Sequence, residues 1–564
     1  SLNRCDTLSI TSIWIHYHLK DSTRQSMRNP LLRSSALWAL PAWCMAGLVA
    51  VPILVTLLSI TGSPTPVWSH LKATVLSDYV LNSLLLMGLT GTFAIILGVS
   101  TGWLVGACAF RGQRTLSWLL MLPLSAPAYI VAYVYTDLLE VSGPVQSALR
   151  SFLALGINEL HLPSIRTLPG AALLLSLVLY PYIYLLARNS FAGRSGAQFD
   201  AARVLGHGPY SAFFRIALPT ARPAIIGGLA LVLMETLADF GVVSYFSVPT
   251  FSTGIYRTWL GFGDSVAALK LASLMLLFVI ALIGLEESSR RSAVDRSDVS
   301  RATPISLTGA RALLAVAICS VPILLGFVVP VCTLAIYAVE HWHLSSNRHF
   351  GTLVVNSTSL AIATGIMATM VAWGLAYLKR LNPSPLNYGL IRLSTLGYAL
   401  PGILLALAIL DASGTLAQWW PASTRLMLSG GIALLLYAYV CRFLTVAYQS
   451  VDAGFSSISP DIDAAARTLG AAPSQVLWRI HLPLLRPSIL AASLLVFVDV
   501  MRELPATLIL RPFNFDTLAT RVYRLASDER LADASLPAIV IVLVGIIPVL
   551  LLQRSSATRE PIKT

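Results

Sequence analysis

Apolar stretches recur along this chain at lengths that exceed what a soluble core needs. Twelve of them, approximately 36–60, 79–109, 115–138, 169–191, 223–248, 266–285, 308–338, 351–378, 388–411, 425–449, 488–510 and 532–553, are long enough to cross a bilayer as helices. A polar, charged linker at about 286–307 parts them into two sets of six. The pattern predicts an all-α polytopic membrane protein with about 12 transmembrane helices. The first repeat runs over 27–285, the second over 308–553, and a tail follows at 554–564. Residues 1–26 are polar and unlike the rest, and Met27-Arg28-Asn29-Pro30 reads as a start. The expectation there is a disordered extension or a misassigned start.

Two polar interruptions carry the same text. The first is Ala201-Ala202-Arg203-Val204-Leu205-Gly206, then Pro209, Arg215-Ile216, Leu218-Pro219 and Arg222-Pro223. The second is Ala465-Ala466-Arg467-Thr468-Leu469-Gly470, then Pro473, Arg479-Ile480, Leu482-Pro483 and Arg486-Pro487. They align without a gap over roughly two dozen residues, about half of them identical, which marks an internal repeat. Each copy reads as a short helix closed by Gly, a second helix opened by Pro, a Leu-Pro break, and a membrane helix that starts at Arg-Pro. The loops span about 192–222 and 452–487. Asn82-Ser83 matches Asn356-Ser357 and Pro127 matches Pro401, both shifted by about ten residues from the loop alignment, so the first half carries an insertion, most simply between Ser142 and Pro169. Six helices is an even number, so both halves run in the same direction as a parallel repeat.

Composition agrees with the pattern. Of 564 residues 56% are hydrophobic and only 12% charged, and soluble domains run near 25% charged. The net charge of +13 suggests nucleic acid, but no Lys/Arg-rich run with interleaved aromatics occurs; basic residues in cytoplasmic loops account for the charge. With the N-terminus cytoplasmic, the inside set holds Arg28, Arg33, Arg111, Arg114, both polar loops, Arg290, Arg291, Lys379, Arg380 and Arg554. Both loops and both termini then lie in the cytoplasm. Arg511, Arg521, Arg524 and Arg530 dissent by falling outside. The six cysteines are scattered without a C-x-x-C, and neither disulfide nor metal is implied. No Gly-Lys pair exists, so no P-loop exists. His341-Trp342-His343 is a weak ligand pair or a solvated outer loop. No catalytic constellation stands out, and the expectation is a chain that is not an enzyme and holds no cofactor of its own.

Charged residues inside the apolar segments are the candidate site. The loop alignment superposes Glu235 on Asp499, Asp239 on Glu503 and Gly241 on Pro505. Each half thus has two carboxylates at i, i+4 on one helix face. Charges in a bilayer cost about 2.5–3.5 kcal/mol apiece on insertion scales, so they face a cavity or a partner. Gly241 and Pro505 weaken the helix just beyond, as in broken transport helices. Glu235 and Asp239 lie roughly 18 and 24 Å past the Arg-Pro, beyond the midplane of a core about 30 Å thick. The pattern predicts four carboxylates across one pathway, as transient contacts for a cation. Arg502, where the first half has Ala238, offsets their repulsion or competes for one acid. The alternative is an ion-pair cluster in which Arg502 bonds Asp499. Asp137 and Asp411 form a further matched pair, with Tyr129, Tyr133 and Tyr135 near the first of them.

A polar loop on the bilayer surface needs no Gly and Pro at matched positions. A docking element, doubled because its soluble partner is doubled, does. The loop text resembles the "EAA" coupling loop, E-A-A-x-x-x-G and later I-x-L-P, of permease subunits in binding-protein-dependent ABC importers. In this chain Asp200 stands at the Glu position of the first copy; in the second, Ala464 stands there and Asp463 is one residue early. The coupling residues that the resemblance implies are Asp200, Ala201, Ala202, Arg203 and Gly206, and Asp463, Ala465, Ala466, Arg467 and Gly470. Glu235-Thr236-Leu237-Ala238-Asp239-Phe240-Gly241 with Thr253-Gly254-Ile255-Tyr256-Arg257 is similar to fused two-half ferric-iron permeases. So is Arg502-Glu503-Leu504-Pro505-Ala506-Thr507 with Leu510-Arg511-Pro512 and Thr517-Leu518-Ala519-Thr520. The similarity runs from about Ala36 to Leu552. It implies the type I ABC importer permease fold in a bacterial inner membrane, two copies of a cytoplasmic ATPase that bind ATP and Mg, and a periplasmic binding protein that donates ferric iron. It also implies ferric contacts at Glu235, Asp239, Asp499 and Glu503. Hard trivalent cations prefer oxygen ligands, which suits carboxylates and tyrosines. Relatives of the same fused architecture carry thiamine or other small solutes. An ion-gradient transporter would explain membrane carboxylates and a repeat but leaves the paired loops unused.

Overall fold

The computed structural model describes residues 31–156, 159, 162–193, 211, 213–294, 305–345, 348–418 and 431–557. The extension over 1–26 and the first-copy loop residues Asp200, Ala201, Ala202, Arg203 and Gly206 lie outside the described residues. Within them the chain is helical apart from turns and one short ladder. Ten helices are long and apolar enough to cross a membrane. Two bent pairs, Gln113–Ser125 with Ala128–Leu153 at 90° and Pro385–Ala399 with Gly402–Ala417 at 112°, pass the same test together, so the described residues hold ten spans, or twelve where each bent pair counts as one. The expected straight segments at 115–138 and 388–411 are therefore folded over. The cause is local: Pro127 and Pro401 are extended, at ψ 135° and 136°, and the residue before each is extended too.

The repeat is a repeat of packing. Helix Leu76–Ala107 lies along Leu168–Gly193, and its counterpart Arg348–Leu381 lies along Ile432–Ser456. The matched Asn-Ser pairs do one job twice. Asn82 donates to the Pro249 carbonyl at 3.1 Å while the Ser83 hydroxyl accepts the Phe251 N–H. Asn356 donates to the Asp516 carbonyl at 3.1 Å while Ser357 accepts the Leu518 N–H. Each pair holds the start of a short helix, Phe251–Gly261 or Leu518–Ser527, that a threonine capping box opens.

Each half lends its first helix to the other. Helix Leu31–Leu58 packs on Arg348–Leu381, Pro385–Ser394 and Gly402–Ala417 of the second half. Helices Ala310–Ile323 and Val329–Glu340 pack on Leu76–Ala107, Gln113–Leu119 and Ala128–Leu139 of the first. One tyrosine pins each exchange: Tyr437 donates to the Leu48 carbonyl at 2.5 Å and Tyr135 to the Leu325 carbonyl at 2.7 Å. The described ends of the linker are structured. Helix Ser265–Val294 runs into it, and Ile305–Ser306 pairs in parallel with Cys108–Ala109.

The second polar loop folds as its punctuation predicts at one end and not at the other. Ser459 caps helix Pro460–Thr468, whose first turn holds Asp461 and Asp463 and whose last holds Arg467, all three suited to the helix dipole. Gly470 sits at φ +81°, with Gly470 N–H to Arg467 O and Ala471 N–H to Ala466 O, a Schellman close that needs a residue without a β-carbon. The expected Leu-Pro break is absent. Helix Pro473–Val476, a π-turn over Leu477–His481 and helix Leu482–Met501 form one span. Pro483 falls in the first turn after the π-turn, where its missing N–H costs little. In the first half a π-turn over Phe213–Ala217 precedes Leu218-Pro219 in the same way.

Asp463 faces the chain's own interior. Its carboxylate accepts from Arg380 Nε at 2.6 Å and lies 2.8 Å from His481 Nε2. Arg380 also donates to the carbonyls of Phe455, Ile458 and Ser459, so one guanidinium closes helix Ile432–Ser456 and anchors the loop helix. Lys379 binds Asp452 at 2.7 Å beside it. Ala465, Arg467 and Gly470 are exposed, and Ala466 is buried. Removing one partner of a buried pair costs about 3–5 kcal/mol. Asp463→Ala is expected to release this helix, read as a lower melting temperature in detergent and faster proteolytic cleavage between Ser456 and Pro473. Unchanged cleavage would show that the carbonyl bonds of Arg380 hold the loop alone.

Candidate functional site

The site is made where two membrane helices stop. Helix Leu218–Ala238 ends at Asp239, which turns extended, and a five-residue helix Gly241–Tyr245 follows. Helix Leu482–Met501 ends at Arg502, and Pro505–Leu510 follows. A helix broken inside a membrane leaves backbone N–H groups without partners. The carboxylates supply them. Asp239 accepts from the N–H of Val242 and Val243 at 3.1 and 3.2 Å, and Glu503 accepts from Ala506 N–H at 3.2 Å. The i+4 acid of each ladder is thus a cap for the short helix beyond it.

The other two acids are held by side chains. Asp499 accepts from Arg502 at 2.6 Å, the i, i+3 bond weighed from the sequence, and Arg502 also donates to the Leu124 carbonyl at 2.9 Å. Glu235 accepts from the Tyr398 hydroxyl at 3.2 Å. The second carboxylate oxygen of Glu503 lies 3.4 Å from Arg442 Nε. All four carboxylates, with Arg442, Arg502, Tyr129, Tyr182 and Tyr398, line one cavity of ≈ 140 Å³. Both ladders thus reach a common space between the halves. The structure does not gather the acids into a chelate: among the described residues no three of His, Cys, Asp or Glu are placed to hold a metal ion. Each acid is already engaged with its own partner.

Asp137 and Asp411 stand apart. Asp137 accepts from the Tyr337 hydroxyl at 2.6 Å, and neither acid lines this cavity. Tyr129 lines it, Tyr133 is buried beside Tyr245, and Tyr135 serves the helix exchange. His341 closes helix Val329–Glu340 and packs its ring on Tyr337.

Sequence reasoning passed over Arg442. It is the one cation in helix Ile432–Ser456 and lies mid-helix, where the loop register puts Val178 in the first half, and that charge is itself the signal. Tyr182 and Tyr398 carry no such signal among 19 tyrosines. Gly402 is a second silent position. A β-carbon there would lie 2.6 Å from Glu503 Oε1 and against the Arg442 guanidinium, so only glycine leaves that ion pair its room.

Comparison with known proteins now bears on this architecture. Residues 361–560 match the family model described as binding-protein-dependent transport system inner membrane component. Over 486 residues the chain is 25% identical to the Fe(3+)-transport system permease protein FbpB 2 of Haemophilus influenzae, covering 85% of this chain and 90% of that one. The ferric transport system permease protein FbpB of Actinobacillus pleuropneumoniae is 23% identical over 483 residues, 80% of this chain and 65% of that one. The molybdenum transport system permease protein ModB of Escherichia coli K12 is 30% identical over 167 residues, which is 30% of this chain and 70% of ModB. Twelve spans in two parallel sets, a structured polar loop ahead of a broken helix, and these similarities agree: the chain belongs to the family of inner-membrane components of binding-protein-dependent transport systems and is a multi-pass permease subunit.

Proposed function

We propose that this permease passes ferric iron from a periplasmic binding protein to the cytoplasm, driven by two ATPase subunits seated on the two polar loops. The observation that carries the reading is the charge of the central cavity. Four carboxylates line it against two guanidiniums, and Arg502 and Arg442 are each already paired with one of those carboxylates. The surplus is negative, and its donors are oxygens, which suits a hard cation. Because each acid holds a separate partner, the cation moves along them by exchange. It takes one carboxylate while a hydroxyl, an N–H or a guanidinium lets go. Such a site favours passage over retention. Similarity to ferric permeases over most of the chain supports the same cargo.

The loops supply the drive. The exposed face of Pro460–Thr468 with Leu469 is the docking surface for an ATPase, and Arg380 makes that surface rigid with the membrane helices. Loops and termini are placed in the cytoplasm. The arginines that dissent are paired, Arg511 and Arg524 with Asp516 and Arg530 with Asp533, and the larger Lys/Arg set on the loop side sets the orientation.

One observation favours a second reading. Arg442 and Arg502 reach the cavity, guanidiniums suit oxyanions such as molybdate, and a molybdenum transport permease is among the relatives. Uptake by cells expressing the full importer separates the two. Radiolabelled ferric iron is expected to enter and to be unaffected by excess molybdate or thiamine. Glu235→Gln, Asp239→Asn, Asp499→Asn and Glu503→Gln remove charge at nearly constant volume. At least two of them are expected to lower iron uptake by roughly tenfold or more at normal expression, as intramembrane charges on a path should. Full uptake by all four, or uptake of molybdate instead, overturns the ferric reading. Gly402→Ala tests the cavity without touching charge. Crowding the Arg442–Glu503 pair is expected to cost about 1–3 kcal/mol, seen as a lower melting temperature together with slower uptake.

A further inference from the structure

A second, larger cavity lies on the polar-loop side of the acidic one. It holds ≈ 480 Å³ and is lined by Met234, Glu286, Arg392, Thr395 and Gln449 among others. Tyr182 and Tyr398 line both cavities. Both are half-buried and border both spaces. One residue comes from each half: Tyr182 from helix Leu168–Gly193, directly after Pro181, and Tyr398 from the 3-10 turn Leu396–Ala399.

That turn is part of a hinge. The chain bends by 112° between Ala399 and Gly402. The hinge touches the charged side chains of the cavity at three points. Tyr398 donates to Glu235, the Leu400 carbonyl accepts from Arg442 at 3.5 Å, and Gly402 underlies the Arg442–Glu503 pair. A change at the acids is therefore felt by the hinge, and the hinge carries one of the two rings.

We propose that Tyr182 and Tyr398 form the inner gate of the permease, held shut by the hydrogen bond from Tyr398 to Glu235. Building on the transport reading above, a cation that takes the Glu235 carboxylate removes the acceptor of that bond. The Tyr398 ring is then free to swing with its hinge, and the acidic cavity opens to the larger one. The gate opens when cargo has arrived and stays shut when it has not, so the empty permease does not leak.

Thiol labelling reads the gate without any iron. The full chain, with its six native cysteines replaced, carries Ala238→Cys in the acidic cavity or Gln449→Cys in the larger one. A membrane-impermeant maleimide is added to inside-out vesicles, where it meets the polar-loop side. Gln449→Cys is expected to react quickly whatever the tyrosines are, which also reports that the variants fold. Ala238→Cys is expected to react slowly with both tyrosines present and at least about tenfold faster in the Tyr182→Ala/Tyr398→Ala background, as removal of a closed gate requires. Tyr398→Phe, which keeps the ring and loses the bond, is expected to fall between. Equal Ala238→Cys rates in all backgrounds, or slow labelling of Gln449→Cys, overturns the gate. A fast double-alanine variant with an unchanged Tyr398→Phe variant overturns the latch. Because the maleimide needs no cargo, a permease that fails to carry iron still reports its gate.

Discussion

A charge in the interior of a bilayer costs about 2.5–3.5 kcal/mol on insertion scales unless something answers it. Six ionisable side chains surround the central cavity of this permease, and the folding of the region is the set of answers they find. Asp239 and Glu503 take the N–H groups that broken helices expose. Asp499 takes Arg502, Glu503 takes Arg442 as well, and Glu235 takes a tyrosine hydroxyl. The break and the acid solve each other: the carboxylate is tolerated because the helix stops, and the helix can stop because the carboxylate caps it. Placement of the short helices Gly241–Tyr245 and Pro505–Leu510 follows from that exchange.

The symmetry of the chain is obeyed by its frame and broken at its centre. Both halves use an Asn-Ser pair, a threonine capping box and a proline bend at corresponding positions. Both contribute two carboxylates. The arginines come only from the second half, since Val178 and Ala238 stand where Arg442 and Arg502 would be repeated. A cavity between two similar walls thus takes its carboxylates from both sides and its guanidiniums from one. Arg442 and Arg502 answer part of the repulsion between carboxylates that face one another across it.

Much of this was legible in the linear text because it depends on spacing along one helix. The twelve spans, the parallel repeat and the Asp499–Arg502 bond follow from period, length and i, i+3 geometry. So did the left-handed Gly470, whose conformation is fixed by the helix that it closes. Contacts between distant segments were not legible. Arg442 and Glu503 are brought together by packing, and nothing local announces that Gly402 must leave them room. The Leu-Pro text misled for a different reason. A proline normally ends a helix, but π-turns on the approach widen the coil enough to carry it through. Asp463 stands one residue before the acid position of the loop pattern. A register that points Ala464 at solvent turns its neighbour toward Arg380.

The exchange of first helices has a consequence for how the chain comes to be made. Helix Leu31–Leu58 leaves the ribosome well before its neighbours in the other half, which begin at Arg348. At about 5–20 residues per second, roughly 300 residues of synthesis separate the two, or on the order of 15–60 s. For that interval the leading helix stands in lipid with one face unclaimed, while the rest of its half assembles beside it. Its seat is built only when the second half is made, around a place that this earlier helix has been waiting to fill. A single polypeptide guarantees that the late half meets the early helix of the same molecule, where two separate chains would have to find each other in the plane of the membrane.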